Sequence, residues 1–139
     1  MQGKCDAFAD RVVKLNDYLL EQAANKNAEV LRKKADGKPV FKKTIPVHLQ
    51  SISAICNQLL RSGTSVGANN SEATSAISKA DYKSKSYIAL KEARESLYWI
   101  NLLHRNGYLE EKQYESIYAD AEELVRILVS RCKKLDSEG

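Results

Sequence analysis

ISAICNQLLRSGTSVGANNSEATSAI, residues 52–77, is the stretch whose reading decides the fold. Its apolar and small residues fall at Ile52, Cys56, Leu59, Gly63, Val66, Asn70, Ala73 and Ile77, an alternating four-and-three spacing that keeps one helical face in register for about seven turns. The middle of the stretch, Ser62-Gly63-Thr64-Ser65, has the composition of a turn, and local propensity alone breaks the helix there. A turn would shift the phase of the apolar positions, and the phase does not shift. The spacing therefore predicts one long helix over about 47–77, with a weak or kinked centre where small residues let a neighbouring helix come close. A break near Ser65 is the alternative. Pro46 stands where the first turn of a helix needs no N–H.

The same phase argument finds three more helices. Phe8, Val12, Leu15, Leu19 and Ala23 share a face, and the helix they define runs from about 5 to 35 before Asp36-Gly37-Lys38-Pro39 stops it. A connection over about 36–45 follows. Ser78-Lys79-Ala80-Asp81 reads as an N-cap with an acid three residues on, opening a helix over about 79–105. Its inner stripe is Leu90, Ala93, Leu97, Ile100 and His104, widened by Trp99, Leu102 and Leu103, and Asn106-Gly107 ends it. Tyr114, Ile117, Ala121, Leu124, Leu128 and Cys132 define the last helix, about 110–135, with a frayed tail from Asp136. Four amphipathic helices with one long connection bury their stripes most simply as an antiparallel up-and-down bundle, so the expected fold is all-α in a single domain, 1–139.

Composition agrees. The 139 residues hold six Gly and two Pro, few enough to favour helices over turn-rich sheets. No apolar run reaches the roughly 18 residues that span a bilayer, and Met1 to Asp10 lacks a signal core, so a cytoplasmic location is expected, with no membrane partner. Cys5, Cys56 and Cys132 are far apart, without the spacing of a zinc site or a disulfide framework. They read as free thiols, Cys56 and Cys132 as core residues. The net charge is +4, but it is unevenly placed. Lys26, Arg32, Lys33, Lys34, Lys38, Lys42 and Lys43 face only Glu29 and Asp36 within their own segment, so the rest of the chain is slightly acidic. Such a segment is either a phosphate-attracting surface or a solvated connection.

Gln58-Leu59-Leu60-Arg61-Ser62-Gly63-Thr64-Ser65-Val66-Gly67-Ala68-Asn69, then Glu72-Ala73, then Ala89-Leu90-Lys91-Glu92-Ala93-Arg94-Glu95-Ser96-Leu97-Tyr98-Trp99, closely resemble the signature of the four-helix-bundle proteins encoded in intervening sequences of the 23S ribosomal RNA gene. Phe8-Ala9-Asp10-Arg11-Val12-Val13-Lys14-Leu15 resembles the first helix of that family. The resemblance implies a bacterial cytoplasmic bundle that assembles with itself as a ring, often a homopentamer. It also implies kinship with accessory proteins of diversity-generating retroelements, whose partners are nucleic acid and a reverse transcriptase. The long basic connection departs from the family pattern, as do Asn70 and Ser71.

Three sets of residues are candidates for function. Arg32, Lys33, Lys34, Lys38, Lys42 and Lys43, with Lys79, Lys83 and Lys85 at the start of the third helix, form the candidate nucleic-acid surface. Gln58, Arg61, Ser65, Asn69 and Glu72 share a neighbourhood on the second helix, and Glu92 or Glu95 could supply Arg61 with a carboxylate, which reads as a structural polar network. Tyr87, Ile88, Tyr98 and Trp99 widen the apolar surface of the third helix beyond one core and read as an oligomer face. No nucleophile stands beside a base, no cofactor motif occurs, and His48 and His104 lack the partners of a metal pair, so neither a catalytic nor a metal site is expected. Gly63-Thr64-Ser65-Val66-Gly67 lacks the Lys and the strand of a phosphate loop. The leading expectation is a non-enzymatic homo-oligomer that binds RNA or DNA by charge, as an accessory to a nucleic-acid enzyme. The alternative is a protein-interaction scaffold.

Overall fold

The computed structural model describes residues 1–34 and 47–138. It contains four helices: α1 (Gln2–Lys34), α2 (Val47–Thr74), α3 (Lys79–Arg105) and α4 (Glu111–Ser137). No strand occurs among the described residues. Consecutive helices pack side by side, the α1 and α4 backbones approach each other less closely, and the backbones of α1 and α3, and of α2 and α4, do not come close. Those two pairs are therefore the diagonals of a four-cornered bundle. Lys4 pairs with Glu123 and Arg11 with Asp120, which closes the fourth side with α1 and α4 antiparallel. The expected connection over 36–45, with Lys38, Lys42 and Lys43, lies outside the described residues.

Helix α2 runs unbroken through Ser62–Ser65, and the local chemistry shows how. Thr64 Oγ1 donates to the Leu60 carbonyl at 2.7 Å and Ser65 Oγ to the Arg61 carbonyl at 2.6 Å, so hydroxyls that could have opened a turn are spent on the helix's own preceding turn. The small residues face neighbours on both sides. A Cβ at Gly63 would lie 3.0 Å from Val12 Cγ2, and one at Gly67 would lie 3.3 Å from Cys5 Cβ, so α1 comes close along this line. On the other flank the buried Ser96 hydroxyl of α3 donates to Ser62 Oγ at 2.9 Å. Phe8, Val12, Ile52, Leu59, Val66, Ile100, Leu103, Leu124 and Leu128 fill the space between the four helices.

Three expectations are corrected. Helix α2 stops at Thr74, and Ile77, expected on its inner face, is 94% exposed. The cap of α3 overrides the apolar period: Ser78 Oγ accepts from Asp81 N at 3.0 Å, while Asp81 Oδ2 accepts from Ile77 N at 3.2 Å, fixing the chain outside the core. On α3, Leu97 and His104 are only half-buried, and Ser86, Ala89, Ser96 and Leu103 join Leu90, Ala93 and Ile100 inside. Small side chains allow the close α2–α3 approach and so claim the inner face. The tail is not frayed at Asp136, which lies within α4 and binds Lys83 Nζ at 2.9 Å and the Tyr87 hydroxyl. The end of α3 matches its reading, with Asn106 as C-cap and Gly107 at φ +79°, a left-handed conformation that suits glycine.

All three thiols are free and buried. Burial raises each of them, Cys56 to about 11. Iodoacetamide at mildly alkaline pH is therefore expected to label none of them in the native protein and all three in urea. A thiol raised on folding favours the native state fully below its unfolded value and loses that contribution as pH rises through the folded one. Stability should accordingly decline from about pH 9 upward, as unfolded thiolates form first. Rapid native labelling of Cys56 would contradict the packing described.

Candidate functional site

The basic residues divide into those already engaged and those left over. Arg32, Lys33 and Lys34 fall in the last turn of α1. Within the α3 set, Lys85 pairs with Glu72 at 2.7 Å and Lys83 with Asp136 at 2.9 Å, so both are tied within the bundle. Glu72 raises the Lys85 ammonium, chiefly through its hydrogen bond. Lys79 is exposed at the start of α3, and Lys133 and Lys134 are exposed near the end of α4, at the same end of the bundle. Those three have no ion-pair partner among the described residues.

The polar set contracts to a smaller cluster. Arg61 accepts no burial; it is half-exposed, donates to Glu92 Oε2 at 3.2 Å, to Gln58 Oε1 at 3.3 Å and to Glu95. The Glu95 hydrogen bond raises the guanidinium, and Arg61 in turn holds Glu95 below the ordinary carboxylate range. Ser65 and Asn69 bond to the backbone of α2 itself, Asn69 Nδ2 reaching the Ser65 carbonyl at 2.8 Å. Glu72, three turns beyond Arg61, belongs to the separate pair with Lys85. The cluster ties α2 to α3 at the surface, and it holds no nucleophile or paired free carboxylate.

The aromatic set also divides. Tyr87 and Tyr98 lie on one line of α3, three turns apart, while Ile88 and Trp99 lie on another about 100° around the helix. Tyr98 is 53% exposed, and Tyr87 and Ile88 are exposed to a lesser degree. Trp99 differs: it is half-buried against the core, and its Nε1 donates to Glu95 Oε1 at 3.2 Å. Its edge meets Tyr98 with ring centroids 4.9 Å apart.

Sequence reasoning missed a polar cluster at the end of the bundle where α1 begins. Asn70, 1% exposed, receives Arg131 Nη1 on Oδ1 at 2.7 Å and donates through Nδ2 to Gln2 Oε1 at 2.7 Å. Gln2 continues to the Gly67 carbonyl at 3.2 Å, and the Arg131 guanidinium lies 5.6 Å from the Tyr82 ring centroid, so all four helices take part. The signal was present, since an Asn on the inner stripe needs partners. His104 has no acid at i+3 or i+4 but meets one beyond the turn. Its Nε2 lies 2.8 Å from Glu111 Oε2 across the turn, and its ring stacks on Tyr114 at 3.7 Å.

Hollows are lined by described residues. One of about 150 Å³ is lined by Leu19, Gln22, Ala23, Lys26, Ile52, Gly107 and Tyr108. An open hollow of about 490 Å³ lies beside Tyr82, Ile77 and Leu135. Among the described residues no group of three or more His, Cys, Asp or Glu side chains could hold a metal, and no helix is long and apolar enough to cross a membrane.

The family model described as 23S rRNA-intervening sequence protein matches residues 38–130. A crystal structure from Bacteroides thetaiotaomicron, of a protein of unknown function from the S23 ribosomal protein family, is 36% identical to this chain. The likeness covers 95% of this chain and 97% of that one, with a TM-score of 0.72. No curated protein matches significantly.

Proposed function

This chain belongs to the 23S rRNA-intervening sequence protein family, and we propose that it works as a non-enzymatic, self-associating bundle that binds RNA or DNA through phosphate charge. The observation that supports this most is the set of lysines with no ion-pair partner among the described residues at one end of the bundle, Lys79, Lys133 and Lys134. The basic sequence Arg32-Lys33-Lys34 closes α1 at the other end. Each subunit offers only a modest charge, but assembly repeats it, and multivalency turns weak phosphate contacts into useful affinity. Among the described residues no element presents a helix or ribbon built to read base edges, so the binding favours shape and charge over sequence. Such a protein suits an accessory role beside a nucleic-acid enzyme in the cytoplasm.

The test is a titration of labelled structured RNA and duplex DNA with wild-type protein and with a variant in which Arg32, Lys33, Lys34, Lys42 and Lys43 are replaced by Glu. The variant is expected to bind at least about 100-fold more weakly at low salt. Equal binding by both proteins would remove the basic segment from the mechanism. The absence of binding by either would leave the scaffold reading, which the exposed Tyr87, Ile88 and Tyr98 support.

A further inference from the structure

The exposed large apolar residues are not scattered. Apart from Ile77 in a turn, those among the described residues are Val13 and Tyr18 on α1 and Tyr87, Ile88 and Tyr98 on α3. None is on α2 or α4. Helices α1 and α3 occupy diagonal corners with their backbones apart, so these two faces look outward in opposite directions.

Charge divides along the same diagonal. Outward on α1, Asp6, Asp10, Asp17 and Glu21 recur at four- and seven-residue spacing, all exposed, with Lys14 as the cation beside them. None of the four carboxylates forms an ion pair among the described residues, although Asp6 accepts from Gln2. Outward on α3, Lys91, Arg94 and Arg105 are exposed and likewise unpaired, and the nearest outward acid, Glu95, is neutralised by Arg61. Both lines are about 21–23 Å long, from fourteen and fifteen residues of rise.

The two lines also stand at one height. Val12 meets Gly63, and Ser62, next to Gly63, bonds Ser96, so Val12 and Ser96 lie level across the bundle. Asp10 and Asp17 flank Val12 as Lys91, Arg94 and Arg105 flank Ser96, and α1 and α3 run in the same direction. A second copy placed beside the first, without vertical shift, brings its α1 against the first copy's α3 in register.

We propose that the outward face of α1 in one copy docks on the outward face of α3 in the next, acids against cations and Val13 against Tyr98. The contact is heterologous, because two different patches meet. This inference rests on the self-association in the proposed function and names its surface. It requires neither nucleic-acid binding nor a particular subunit number.

The test uses full-length protein and three variants in sedimentation velocity at low salt: Asp10→Lys with Asp17→Lys, Lys91→Glu with Arg94→Glu, and the combination of all four. Each double variant then carries like charge on both faces and is expected to dissociate. The combined variant restores opposite charges with the signs exchanged and is expected to assemble with itself. An equimolar mixture of the two double variants should also associate. Unfolding midpoints within a few degrees of the wild type, since all four positions are exposed, separate loss of assembly from loss of fold. Assembled double variants, or a combined variant that stays dissociated, would overturn the docking while leaving self-association standing. A wild type that is monomeric under every condition would overturn both. Intact assembly with lost nucleic-acid binding in Lys91→Glu with Arg94→Glu would assign those cations to phosphate and also overturn the docking.

Discussion

Gly63→Leu is expected to lower the thermal unfolding midpoint by roughly 10 °C, the largest effect of any single change away from the apolar core. Even a Cβ at this position would lie 3.0 Å and 3.1 Å from the two Val12 methyl carbons. Val12 is fully buried and β-branched, so it has no second rotamer to retreat to within α1. Leucine adds three more carbons to a contact that is already closed, which costs about 3 kcal/mol despite its better helix propensity. Calorimetry measures the midpoint directly. A second variant tests the cause: Val12→Ala in the Gly63→Leu background should recover part of the loss, although Val12→Ala alone is destabilising. If Gly63→Leu is neutral, α1 and α2 are farther apart than described.

Arg131→Met is expected to cost about 2 kcal/mol, and the loss belongs mainly to the residue it leaves behind. Asn70 is buried, and its Oδ1 takes its hydrogen bond from Arg131 Nη1. With methionine at 131, that oxygen stays out of water with no donor. Replacing both, as Asn70→Leu with Arg131→Met, removes donor and acceptor together and should cost less than the sum of the two single changes. Urea unfolding of the four proteins closes the cycle. Additive single costs would mean that Asn70 finds another donor and that the cluster does not act as a unit.

The helices were legible because burial of a long face is a collective signal. Seven positions of α2, from Ile52 to Ala73, hold one phase, and hydroxyls at 62–65 satisfy the helix instead of breaking it, so period overrode composition. The same logic failed at Ile77, where one apolar residue extended the period but Ser78 and Asp81 formed a cap, and a local pair of hydrogen bonds outweighed the burial of one side chain. Partner choice was less legible. Arg61 finds Glu92 and Glu95 as expected, yet Glu72, on the same face of α2, is matched to Lys85, because spacing along one helix does not fix the height of its neighbour. Asn70 was visible as a polar residue on an inner stripe, but Gln2 and Arg131 lie at the far ends of the chain and only the packing brings them together. Trp99 looked like part of an exposed face, whereas the Glu95 carboxylate and the core hold it inward. The α1 half of the charge pattern is spelled out as Asp6, Asp10, Asp17 and Glu21, but its meaning depends on α1 and α3 being diagonal, which no single helix reveals.

The central claim is phosphate recognition by unpaired cations, and its most direct test is the salt dependence of nucleic-acid affinity. Binding of the wild-type protein to a duplex should be followed between about 50 and 200 mM salt and plotted as the logarithm of the association constant against that of salt concentration. The account predicts a slope steeper than about −3, which corresponds to several phosphates neutralised per binding event. A slope near zero, or no binding at the lowest salt, would contradict it.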